Sequence, residues 1–200
     1  MTAALPARRG RPRSEASERA ILDAALELMA APSRPVTMTE IARRAGVGKD
    51  TVYRRWRSKD DLLLDALATL PGPLGEYADG PIREVLIARL TELIERMHDG
   101  RNQRIYRSVL GGSPSLRERF FAELIERRRA ATCAVIEAAV RRGELRADTD
   151  AALLGALLFS PVLAETLEGR PRPALHGPPQ AVATRLVDAA LRGARPQLPQ

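Results

Sequence analysis

The stretch from Val36 to Leu67, VTMTEIARRAGVGKDTVYRRWRSKDDLLLDAL, constrains the fold of this chain more than any other. Thr37 is placed to cap a short helix running to about Ala45, and Gly46 stands where a helix C-terminus takes a residue at positive φ. A second short helix is expected from about Lys49 to Trp56, after Gly48. Two short helices about a tight glycine turn make a helix-turn-helix. Ile41, Ala45, Val47, Val52 and Trp56 are spaced to share one small core, and Ala42 is small where the two helices would cross. Ser58 then reads as the N-cap of a further helix, with Asp60 and Asp61 in its first turn, where the helix dipole favours acids.

Between its apolar positions the second helix carries Lys49, Asp50, Thr51, Tyr53, Arg54 and Arg55. In this motif the second helix enters the DNA major groove and its N-terminal residues meet base edges. The charge is placed accordingly. Residues 1–59 hold 13 basic and 6 acidic residues and residues 60–200 hold 19 of each, so the whole net charge of +7 lies on the segment with the motif. That is the electrostatic footprint of a nucleic-acid-binding end joined to a neutral remainder.

The run T-x-x-x-I-A-x-x-A-G-V-x-x-x-T-V-Y-x-x-W-x-S-K-x-x-L-L, within about residues 15–70, resembles the DNA-binding domain of the TetR family of bacterial transcriptional regulators. By matching position, the resemblance implies that Thr39, Lys49, Asp50, Thr51, Arg54 and Arg55 lie at or near base edges, and that Thr37, Tyr53 and Lys59 hold the backbone. Arginine on guanine is the commonest specific contact, which favours Arg54 and Arg55 for readout. Asp50 either accepts from cytosine or serves the helix N-terminus. Gly48 departs from the family, which commonly has Ser or a similar capping residue there. Glycine caps less well by about a few tenths of a kcal/mol and offers no hydroxyl to a phosphate. The implied fold class is all-α with about nine helices: an N-terminal helix-turn-helix domain, then a helical ligand-binding and dimerisation domain. The implied partners are a double-stranded DNA operator, a small-molecule effector and a second copy of the chain.

The rest of the chain divides at its Pro and Gly clusters. Residues 1–13 are Pro- and Arg-rich without periodicity and are expected to be a disordered basic arm. Arg8, Arg9, Arg11 and Arg13 either enter a minor groove or add only nonspecific phosphate attraction. Ser14 or Ser17 is expected to cap a first helix to about Ala30, ended by Pro32-Ser33-Arg34-Pro35. The DNA-binding domain is expected over 14–70, with a boundary in residues 71–80, and the second domain over 71–200.

In that second domain, helices are expected over Pro81–Asp99 with Gly100 as stop, Gln103–Leu110, and Ser113 to Arg142 with an apolar face at Leu116, Phe120, Leu124, Ala131, Val135 and Ala138. Two more are expected from an Asp148 cap to about Leu167 and over Gln180–Leu191. The nearly all-apolar helix before Leu167 must be buried on more than one side. A second subunit is its natural cover, although Pro161 should kink it. In the resembled family the last two helices form a four-helix dimer interface with the partner's pair, which implies Leu154, Leu157, Leu158, Val162, Leu186, Val187 and Ala190 as the dimer interface here. The resemblance also implies a ligand cavity in this domain: Leu90, Leu93, Met97, Tyr106, Leu110, Phe120, Phe121 and Leu124 either line it, for a mostly apolar ligand, or form ordinary core.

Other chemistry finds little support. His98, His176 and Cys133 have no zinc-site spacing, so no metal or cofactor is expected. No G-x-S-x-G and no phosphate-binding glycine pattern after a strand is present, so the chain does not read as an enzyme. No apolar run reaches membrane-spanning length, and a cytoplasmic location is expected. The sequence supports a repressor released from an inverted repeat by its effector. Its alternatives are a ligand-independent activator or architectural DNA binder, or a protein-interaction module with degenerate DNA binding.

Overall fold

The computed structural model describes residues 11–31, 36–70, 80–168 and 175–194, and these are helical apart from their connections. In order they are α1 (Arg11–Ala30), α2 (Met38–Arg44), α3 (Lys49–Tyr53), α4 (Lys59–Ala68), α5 (Ile82–His98), α6 (Gly100–Leu110), α7 (Pro114–Arg119), α8 (Glu126–Arg141), α9 (Ala151–Glu168) and α10 (Pro179–Ala194). A π-helical segment, Phe120–Ile125, joins α7 to α8, so these form one rod and the described helices number nine rods. Contacts divide the chain after Leu70 into two compact units.

In the first unit α1 packs on α2 and α4, and α2 packs on α3. Ile21, Ala25 and Leu28 of α1 are buried with Ile41, Val52, Leu62, Ala66 and Leu67. Each fully buried aliphatic side chain of this kind stabilises the fold by about 1.5–3 kcal/mol, which is how helices this short persist. The backbone of α1 is already helical at Arg11, ahead of the expected Ser14 or Ser17 cap. Pro12 does not prevent this, because a proline in the first turn lacks an N–H that has no helical partner there. Arg8 and Arg9 of the expected arm, the Pro32–Pro35 segment and residues 71–79 of the expected boundary lie outside the described residues.

In the second unit α5 is central and packs on α10, α9, α6 and α8. Several boundaries differ from expectation, each for a capping reason. Pro81 precedes α5 rather than starting it, and the open Ile82 N–H donates to Glu144 Oε2 at 2.7 Å. Gly100 begins α6 instead of ending α5, because Asp99 Oδ1 accepts from Arg101 N at 3.0 Å. Asp150, not Asp148, caps α9 by accepting from Leu153 N at 2.9 Å. Asp148 is instead held by Arg146 at 2.8 and 2.6 Å. Gly143, at φ +76, ends α8. Helix α9 continues through Pro161, whose missing N–H leaves the carbonyl of Leu157 on an exposed turn.

Candidate nucleic-acid interface and ligand cavity

The turn between α2 and α3 fixes the candidate reading helix. Gly46 takes φ +67. Its N–H donates to Arg43 O at 3.3 Å, and Val47 N donates to Ala42 O at 3.0 Å. These two bonds satisfy the last carbonyls of α2 and need a left-handed residue between them, which glycine supplies without strain. Thr37 caps α2, its Oγ1 accepting from Glu40 N at 3.2 Å. Gly48 caps α3 through backbone alone. On α4, Ser58 Oγ accepts from Asp61 N and Asp61 Oδ2 accepts from Ser58 N, both at 3.1 Å, a reciprocal capping box. Trp56 is buried and its Nε1 donates to Asp65 Oδ2 at 2.8 Å, tying the end of the reading segment to α4.

Val52 and Trp56 thus anchor the inner face, while Ala45 and Val47 are half-buried and Met38, absent from the expected core set, joins it. The outer face carries Lys49, Asp50, Tyr53 and Arg54, all exposed, with Thr37, Thr39 and Lys59 exposed beside it and Thr51 half-buried. Tyr53 is 55% exposed, so it is not a core aromatic.

The two arginines favoured for readout are separated. Arg54 is exposed and makes no ion pair among the described residues. Arg55 retains 18% side-chain exposure and donates to Glu18 Oε2 of α1 at 3.2 Å. Other cations are also neutralised locally: Arg43 pairs with Glu40 at 2.6 Å, which raises its pKa, and Arg44 pairs with Glu27. Sequence reasoning missed Arg57, which is exposed and without an ion pair among the described residues. Only its place between the reading helix and the α4 cap would have marked it. Arg11 and Arg13, assigned to the arm, lie on helical backbone.

The second unit holds a cavity of about 490 Å³, lined from α5, α6, the π segment, α8 and α9. Leu93 and Tyr106 of the expected set are on its wall; Leu90, Met97, Leu110, Phe120, Phe121 and Leu124 are not. Leu90 and Met97 are fully packed in the core. Phe120 is buried with its ring edge-on to Tyr106 at 5.9 Å, and Phe121 is 38% exposed. The wall is instead completed by Thr132, Cys133, Gly155, Phe159 and Leu163 among others. Burial pushes the Cys133 thiol up, so it is a poor nucleophile there. No group of three or more metal-ligating side chains occurs among the described residues.

The expected dimer set divides as well. Leu154, Leu158, Val162 and Val187 are buried inside the unit's own core, where α9 and α10 meet α5, so they are not surface. Leu186 and Ala190 are half-buried. Leu157 is 59% exposed, joined by Leu153 at 57%, which the sequence reading left out. No helix among the described residues is long and apolar enough to cross a membrane.

Comparison with known proteins places both units. The family model described as "Bacterial regulatory proteins, tetR family" matches residues 21–66, and that described as "Tetracyclin repressor-like, C-terminal domain" matches residues 78–190. The HTH-type transcriptional regulator YdeS of Bacillus subtilis (strain 168) is 28% identical over 163 residues, 79% of this chain and 82% of its own. A TetR transcriptional regulator from Agrobacterium tumefaciens superposes with a TM-score of 0.70 at 21% identity, covering 90% of this chain and 94% of its own. NalD of Pseudomonas aeruginosa, the secondary repressor of the MexAB-OprM multidrug efflux pump, does so at 0.67 and 23%, covering 92% and 97%.

Proposed function

Because the chain belongs to the TetR family of bacterial regulators, a family of helix-turn-helix DNA-binding proteins, we propose that it is a homodimeric repressor released from an inverted-repeat operator by a small molecule. One observation carries the DNA part. The outer side of the reading segment collects Lys49, Arg54, Arg57 and Lys59, exposed and not ion-paired among the described residues, opposite the anchored Val52 and Trp56. Arg54 is assigned to a base edge. Lys49, Arg57 and Lys59, with Thr37 and Tyr53, are assigned to phosphates. Arg55 is assigned to holding α3 against α1. The exposed Leu153 and Leu157 of α9 are assigned to the partner subunit, and the 490 Å³ cavity to the effector. Its size lies within the roughly 300–1,000 Å³ of small-molecule sites. Repression by the efflux regulator NalD is consistent with this reading. Release requires the effector to favour the conformer that does not fit the operator, since equal affinity for both shifts nothing.

The test is binding to DNA upstream of the protein's own coding region, at near-physiological salt with excess competitor DNA. A footprint of two symmetric half-sites, weakened by a metabolite pool, is the expected result. A footprint that no pool weakens would favour a ligand-independent regulator. Random-sequence selection that returns nothing above nonspecific affinity would overturn DNA recognition and leave an interaction module.

A further inference from the structure

The charges around the cavity do not balance. At its mouth Glu126 and Arg129 pair at 2.6 Å, both well exposed, and cancel. Arg128, half-buried on the wall, spends one N–H on the Tyr106 hydroxyl at 3.3 Å. Behind the wall, α5 presents Leu93 to the cavity. Arg89 and Arg96 stand four residues before and three after Leu93, on the same face of the helix. Arg89 is only 4% exposed. Its Nε and Nη1, and Nη1 of Arg96, are buried without a hydrogen-bond partner among the described residues.

Burial pulls the pKa of both guanidiniums down. Tyr106 raises that of Arg96 and Arg128 lowers it, so these three groups lie within electrostatic reach of one another. Glu92 is the carboxylate whose field acts on both α5 arginines. Arginine stays protonated in proteins, so this excess is not relieved by losing a proton. A buried charge with idle donors is relieved by an anion that accepts from them.

We propose that the cavity takes an amphiphile with an anionic head, a carboxylate or phosphate. The head is seated by Arg128 and the Tyr106 hydroxyl on the wall, with the buried Arg96 and Arg89 behind it adding positive potential. The apolar body lies along Cys133, Ala156, Phe159 and Leu163. The inference rests on reading this cavity as an effector site, and it narrows the effector from a mostly apolar ligand to an amphiphilic acid.

The experiment is isothermal titration of the full chain, without DNA, using decanoate, decyl phosphate, decanol and decyltrimethylammonium below their micelle concentrations. At least one anion should bind about tenfold or more tighter than decanol, a difference of about 1.4 kcal/mol, and the cation should not bind. Which anion binds tighter identifies the head. Arg128→Met should remove that preference and Arg96→Met should weaken it, and Arg128→Lys should restore part of what Arg128→Met loses. Ala156→Trp should weaken all binding by filling the site. Thermal melts of the unliganded variants check that each folds. Equal affinity for anion and alcohol, preference for the cation, anion binding indifferent to the arginine and Ala156 variants, or no binding by any probe would each overturn the proposal. Adding the same probes to an operator complex separates the two readings: selective anion binding without release would leave this inference standing and sink effector control.

Discussion

Arg54 and Arg55 are adjacent in sequence and equivalent by composition, yet the structure sets them in different surroundings, and two alanine variants test the different roles proposed for them. Arg54 is exposed and has no ion pair among the described residues to lose. Arg54→Ala should therefore leave the melting curve unchanged. If Arg54 grips guanine, its loss removes about 1–3 kcal/mol at each half-site. A symmetric dimer engages two half-sites, so the loss is about 2–6 kcal/mol, at least about thirty-fold in Kd. Arg55 should behave otherwise. Its contact to Glu18 is 3.2 Å long, and Glu18 is 53% exposed, so solvent screens it. Arg55→Ala should lower fold stability by at most about 1 kcal/mol. It should also weaken every DNA sequence by the same factor, because it loosens the seat of α3 and not a base contact. The assay is fluorescence anisotropy at one fixed salt concentration, with the operator and a series of single base-pair changes. Arg54→Ala should bind the operator and one particular base-changed site equally well. The reasoning is refuted if Arg55→Ala is the variant that becomes indifferent to one base pair while Arg54→Ala weakens all sequences alike.

Three further outcomes follow. Gly46→Ala meets no atom within 4 Å of its new Cβ but must hold φ +67; left-handed strain alone should lower the stability of the first unit by about 1–2 kcal/mol, read by urea denaturation. Glu144 lies below its ordinary value of 4.5 because it accepts from the Ile82 N–H, with Arg142 assisting. A depressed folded-state pKa gives stability that is present above that value and lost as pH falls through the folded one. Glu144→Gln should therefore be less stable than wild type by about 1 kcal/mol at neutral pH, with the gap closing as both are acidified below about pH 4, read by melts in a pH series. Leu157→Glu, at a position 59% exposed, should give a folded monomer by sedimentation velocity, whereas a persistent dimer would remove α9 from the interface.

The reading head was legible because its determinants are local. Gly46 must be left-handed, Thr37 and Ser58 must cap, and Val52 and Trp56 repeat at helical spacing, so each assignment needed only residues within one or two turns. What local pattern could not give is partner choice across the unit. Arg55 and Arg54 look alike until Glu18, 37 residues earlier, is brought beside one of them. The α5 start was similarly misplaced because its cap, Glu144, comes from 62 residues downstream.

The cavity shows a different kind of failure, one of register. An unbroken α-helix from Pro114 would bury Leu116, Phe120 and Leu124, then Ala131, Val135 and Ala138. The π segment Phe120–Ile125 inserts one residue into that rhythm. From its last residue onward the buried positions are Ile125, Thr132, Ile136 and Ala139, each one place later than expected. The same slip brings Thr132, and Cys133 next to it, onto the cavity wall and leaves Leu124 off it. It also fixes which of four consecutive charged side chains faces inward. Arg128 stands four residues before Thr132, and Thr132 Oγ1 donates to the Arg128 carbonyl at 3.2 Å, so the two share a face. Arg127 and Arg129 are exposed, whereas Arg128 is half-buried against Tyr106. The charge on which the proposed anionic ligand depends was therefore placed by a one-residue irregularity, which a regular helical period conceals.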